Sequence, residues 1–221
     1  MQYTSQTHAH KQGILFALTA VLLWASLATL GVRLRHVPPF LLTGLGLLVG
    51  ALVAIPMSRG KWQAWRVAPI TLLVGVVGLF GYHALLFAAF QLAPAIQVNL
   101  INYLWPLLIV VLAPLYLPNL PLRMVHIAAA LLGFAGAVLA LVDGAMATGV
   151  SLVASLSGST LLGYALAAIA AWFWASYSLL SRRVPTYETV AVGGLCLCAG
   201  LLSLCCHWLF EPRVTLSLQD W

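Results

Sequence analysis

Seven apolar runs divide the sequence: Gly13 to about Leu34, about Phe40 to Met57, about Val67 to Phe90, Pro94 to Leu117, about Met124 to Val142, Leu161 to Ser181, and about Val190 to Phe210. Each is close to the 17 to 25 apolar residues with which a helix crosses a bilayer. Polar residues are confined to the short stretches between them. Arg35 to Pro39 and the turn at Pro94 are tight connections of the helical-hairpin kind, and a Gly/Ser-rich link from Asp143 to Thr160 separates the fifth run from the sixth. The pattern predicts an all-α polytopic membrane protein.

The fourth run breaks the pattern. It carries no charge, yet its first half reads Asn99-Leu100-Ile101-Asn102-Tyr103-Leu104-Trp105-Pro106. Asn99, Asn102, Tyr103 and Pro106 fall at i, i+3, i+4 and i+7, one face of a helix. Polar groups in hydrocarbon are costly without partners or water. Asn also serves as glue between membrane helices, and Tyr and Trp as headgroup anchors. Four such positions on one face favour a cavity. Pro106 removes a backbone hydrogen bond and can kink the helix below the polar patch.

Composition excludes the soluble alternatives. Of 221 residues, 63% are hydrophobic and 6% charged, more apolar surface than a soluble domain can hide. The net charge of +6 comes from scattered residues and points to topology, not nucleic acid. Counting Lys and Arg by loop parity puts Lys11, Arg59, Lys61, Arg66, Arg123, Arg182 and Arg183 on the side of the N-terminus, and Arg33, Arg35 and Arg213 opposite. Seven against three places the N-terminus in the cytoplasm. The first run is too long for a signal-peptide core and lacks a cleavage site, so it reads as a retained helix. Cys196, Cys198, Cys205 and Cys206 share one apolar run, with the spacing of neither a disulfide framework nor a zinc site.

An internal repeat lies beneath the runs. At an offset of 150, residues 13–52 and 163–202 are identical at 13 of 40 ungapped positions. These include Trp24-Ala25-Ser26 against Trp174-Ala175-Ser176, Arg33 against Arg183, Gly44 against Gly194, and Gly50 against Gly200. The copies start five spans apart, so they run in opposite directions, the inverted-topology build of secondary transporters. This divides the chain into a first five-helix repeat (13–142), a linker (143–160) and a partial second repeat of two helices (161–221), with about seven of an expected ten spans present.

Chemistry-bearing side chains gather near mid-depth. Trp24 lies 11 residues into the first run, about 16 Å deep at 1.5 Å per residue, and Trp174 lies similarly deep in the sixth. Core packing is the competing role for such a Trp. Tyr82-His83 occupies the third run, and His83 is the histidine far from any run end; an intramembrane ionisable group is a functional candidate, its alternative being a neutral, hydrogen-bonded packing histidine. Gly75, Gly78 and Gly81, with Gly46 and Gly50 on the second run, form stripes for close helix contact. No run holds Asp or Glu in its middle, which favours movement down a gradient over ion coupling. A Ser/His/Asp or metal constellation for a membrane hydrolase is missing, and His83, His126 and His207 sit at unmatched depths for a haem, so no enzyme activity and no cofactor is expected.

Tyr82-His83, Gln91-Leu92-Ala93-Pro94-Ala95, Asn102-Tyr103-Leu104-Trp105-Pro106-Leu107 and Phe173-Trp174-Ala175-Ser176-Tyr177 together resemble the EamA-type drug/metabolite transporter superfamily, and within it the bacterial aromatic amino acid exporters of the inner membrane. The resemblance covers nearly the whole chain. It implies ten spans in two inverted five-helix halves around a central cavity, and export of aromatic and related hydrophobic amino acids. The substrate-lining positions it implies are Tyr82, His83, Tyr103, Trp105, Trp174 and Trp24; Asn99 and Asn102 would hydrogen-bond the substrate's polar end. A broader metabolite or drug exporter, and a fragment needing further helices for activity, are the alternatives.

Overall fold

The computed structural model describes residues 13–23, 26, 29, 30, 33–118, 120–147 and 157–214. Among them every regular element is helical: α1 (Gly13–Leu23), α2 (Pro39–Ser58), α3 (Pro69–Leu92), α4 (Ala95–Asn102), α5 (Trp105–Tyr116), α6 (Met124–Ala147), α7 (Gly158–Leu180) and α8 (Val192–Phe210), with 3₁₀ turns at Trp62–Trp65 and Thr189–Ala191. Pro39–Ser58, Pro69–Leu92, Ala95–Tyr116, Gly158–Leu180 and Thr189–Phe210 are long and apolar enough to cross a membrane. Gly13–Leu23 and Met124–Leu139 are shorter apolar helices.

Prolines set several boundaries. Pro39 and Pro69 occupy the first helical positions of α2 and α3, where a missing N–H costs nothing and φ is already helical. At the other end of α2 the chain turns through Arg59 and Gly60, both at positive φ. Ser157 caps α7, its hydroxyl accepting from the Thr160 N–H at 3.2 Å. The link before α7 is shorter than its composition implies: α6 continues through Asp143 to Ala147, because Gly-Ala-Met-Ala contains nothing that stops a helix.

The chain divides into two compact units, Met1–Leu34 and Arg35–Trp221. The first holds the apolar helix α1. In the second, α2 and α8 run antiparallel at close range. A β-carbon on Gly44 would meet Leu204 and the Gly200 carbonyl, and one on Gly50 would lie 4.0 Å from Cys196 Cβ. The Gly194 region meets the far end of α2, where Gly193 abuts Ala54. The same pairing is secured at one end by polar groups. The Glu211 carboxylate accepts from the Phe40 N–H at 2.8 Å and the Leu41 N–H at 3.2 Å, and the Ser203 hydroxyl donates to the Phe40 carbonyl at 2.7 Å. Glu211 thus satisfies backbone donors that the start of α2 cannot pair internally, and His207 Nδ1 lies 2.8 Å from Oε2, the oxygen that also accepts from Leu41. Helix α3 packs antiparallel on α7, and Leu47, Leu79, Leu195 and Ala199 form the core where α2, α3 and α8 meet.

Candidate functional site

Glycines on α3 let α7 approach. A β-carbon at Gly78 would fall 2.5 Å from Tyr177 Cδ2, and one at Gly81 2.5 Å from Phe173 Cε1. The stripe predicted for close contact therefore seats two α7 aromatics directly on the α3 backbone. Trp174 lies between those residues in sequence and packs against Tyr82, the residue after Gly81, with ring centroids 4.7 Å apart and planes tilted by 42°. Tyr177 continues the cluster 5.5 Å from Trp174. His83 meets the edge of Tyr82 at 4.9 Å and faces Phe87 at 6.2 Å.

Two polar groups complete the arrangement. Asn102, 6% exposed, donates from Nδ2 to the Tyr82 hydroxyl at 3.2 Å. Its Oδ1 is buried and has no hydrogen-bond partner. His83 Nδ1 lies 2.8 Å from the Leu79 carbonyl. A carbonyl only accepts, so Nδ1 carries a proton, and when the ring is neutral Nε2 is an acceptor. The cluster combines aromatic faces, amide and imidazole acceptors, and the Tyr82 hydroxyl hydrogen. That set can hold an ammonium by acceptor and cation–π contact and pack an apolar side chain.

The fourth span departs from a single kinked helix. α4 ends at Asn102 and α5 begins at Trp105, so the break falls at Tyr103 and Leu104, inside the polar patch. The Leu104 N–H turns back to Ile101 O at 3.0 Å, a 3₁₀ bond, and Pro106 cannot donate to Asn102 O. The expected single face is split by this break. Asn102 is buried and Asn99 and Trp105 half-buried, whereas Pro106 is exposed and Tyr103 is 43% exposed. Tyr103 still lies within electrostatic range of the Tyr82 hydroxyl. The structure therefore joins Tyr82, His83, Asn102 and Trp174, with Tyr103 next to Asn102 at the break and Asn99 and Trp105 elsewhere in the same broken span. Trp24 lies outside the described residues.

Phe173, Ser176 and Tyr177 belong to a motif quoted from the sequence but were not named as site residues, and Phe87 and Tyr116 were not singled out. Tyr177 is three residues after Trp174, a helical-face signal available in the chain. The Tyr116 hydroxyl donates to Ser176 Oγ at 2.9 Å across two helices, which no local pattern reveals. Beside the cluster, Gly78, Tyr116, Phe173, Ser176 and Tyr177 contribute to a cavity of about 350 Å³ between α3, α5 and α7.

Residues 11–142 match the EamA-like transporter family. The chain belongs to that family. Over 217 residues this EamA-like transporter is 40% identical to the aromatic amino acid exporter YddG of Ancylobacter novellus, a match spanning 94% of this chain and 71% of that protein. A solved crystal structure that is 39% identical superposes on it with a TM-score of 0.73, covering 94% of this chain and 70% of that one. The broken fourth span of this EamA-like transporter, which supplies Asn102, lies within the matched segment; Trp174 lies beyond it.

Proposed function

We propose that the protein exports amino acids with aromatic or other hydrophobic side chains across the inner membrane, by facilitated diffusion with alternating access. The observation that carries this reading is the junction of Tyr82, Trp174 and Asn102, where a packed aromatic pair adjoins a buried amide oxygen with no partner. An α-amino acid with an apolar side chain offers the complement: an ammonium for the oxygen and a hydrophobic group for the rings. The 40% identity to a protein named as an aromatic amino acid exporter supports the same substrate class. Tyr82, His83, Asn102, Tyr103 and Trp174 would contact substrate, with Asn99, Trp105 and Trp24 lining its path.

Alternating access is supported by the repeat. The α2 and α8 copies of the 150-residue offset lie side by side in opposite directions, as inverted repeats related by an axis in the membrane plane would. We assign 13–142 and 161–221 to the two halves of a ten-span build. An inner-membrane setting with the N-terminus cytoplasmic accords with the Lys and Arg distribution. Parity then puts the start of α2 and the end of α8 on the outer side together, in keeping with the Glu211 bonds.

Proteoliposomes of the protein expressed from its full reading frame test this. Labelled tryptophan and phenylalanine should enter faster than threonine, without a proton gradient. Trp174→Ala should cut that flux about fivefold or more, the loss of one aromatic ring contact being worth roughly 1 kcal/mol. Flux that requires a proton gradient, or equal flux in Trp174→Ala, would sink the reading.

A further inference from the structure

A second concavity lies apart from the aromatic cluster. Helices α5 and α6 and the loop between them enclose about 730 Å³, lined by Pro106, Val110, Pro114, Arg123, His126 and Ala129 among others. Its walls are apolar except at one end. There Arg123 and His126 stand together, and among the described residues the Arg123 side chain forms no ion pair. The Arg123 N–H reaches His126 Nδ1 at 3.3 Å, so this nitrogen accepts and the ring proton sits on Nε2, aimed away as a donor. The positive end of the α6 dipole adds to the same locus.

Length identifies the occupant. From Tyr116, at the loop end of α5, back to Pro106 is about 15 Å of helix, half of a hydrocarbon core of about 30 Å. The groove is thus one leaflet deep, greasy along its length and cationic at its mouth. A free amino acid or inorganic phosphate fills only one part of that shape. We propose that this groove binds one anionic phospholipid, its phosphate on Arg123 and His126 Nε2 and an acyl chain along Val110, Pro114 and Ala129.

The test uses the purified protein in a neutral detergent, with native mass spectrometry counting retained lipid and a thermal melt reading stabilisation. Phosphatidylglycerol should be retained at one copy per chain and raise the melting temperature more than phosphatidylcholine. Arg123→Gln with His126→Gln, both exposed, should weaken that preference roughly fivefold or more. Ala129→Trp, which fills the groove, should abolish retention of both lipids. Equal retention of the two lipids by the native protein, or a phosphatidylglycerol preference unchanged in the Arg123/His126 variant, overturns the proposal. So does an equal melting shift from glycerol 3-phosphate, which carries the phosphate without the chain. Should Ala129→Trp fail to fold, the exposed double variant decides.

Discussion

Asn102 shows how a single residue serves two demands. Its amide hydrogen is spent on Tyr82, and its oxygen is left without a partner in the packed interior. Tyr82→Phe removes the acceptor and strands the amide, so the protein should lose about 1–2 kcal/mol, read as a lower melting temperature. Tyr82→Phe with Asn102→Leu deletes both polar partners. It should recover most of that stability while amino acid flux in proteoliposomes stays low. Recovery of both together would assign Asn102 to packing alone. The polar character of Asn102, Tyr103 and His83 in hydrocarbon was legible in the sequence, because each violates the apolar pattern around it. Which of the polar residues would be buried was not. That depended on a break at Tyr103 and Leu104, and the local signal at Pro106 locates such a break only to within a turn.

Elements in this protein are placed by what is absent from them. Gly78 and Gly81 have no side chain where Tyr177 and Phe173 lie, and the α3–α7 contact depends on that. Gly78→Ala forces Tyr177 aside and should cost about 1–3 kcal/mol, visible as a lower melting temperature and weaker flux. Gly133 on α6 has no neighbour within 4 Å of its β-carbon position. Gly133→Ala should therefore be neutral or stabilising by about 0.5–1 kcal/mol from helix propensity. Equal damage from the two substitutions would argue against the α3–α7 packing. The α3 glycine stripe and five segments long enough to span could be read from the sequence, since bilayer length and glycine spacing are local properties; Gly13–Leu23 and Met124–Leu139 are shorter apolar helices, and Gly46 of the α2 stripe meets no neighbour. The partner of each stripe could not, because any apolar helix satisfies it.

For the whole molecule, the offset of 150 and the α2–α8 pairing bear on the same architecture from independent directions. The Gly50 and Cys196 β-carbon positions are 4.0 Å apart, within the 3.5–4.5 Å of a disulfide. Gly50→Cys should lose two titratable thiols on mild oxidation in membranes, whereas Gly46→Cys, which has no neighbour within 4 Å, should not. Retention of both thiols in Gly50→Cys would remove the antiparallel pairing on which the inverted-repeat reading leans. The bond between Phe40 and Glu211 also has a consequence in time. The two residues are 171 positions apart, and at about 5–20 residues per second a ribosome needs roughly 10–30 s to travel between them. During that interval α2 is already made while its cap does not yet exist. Pro38 and Pro39 reduce the number of amides left waiting, and the Phe40 and Leu41 amides must rely on water or headgroups at the bilayer edge. Biogenesis of this carrier therefore contains an early helix that is completed only by a residue made 171 positions later.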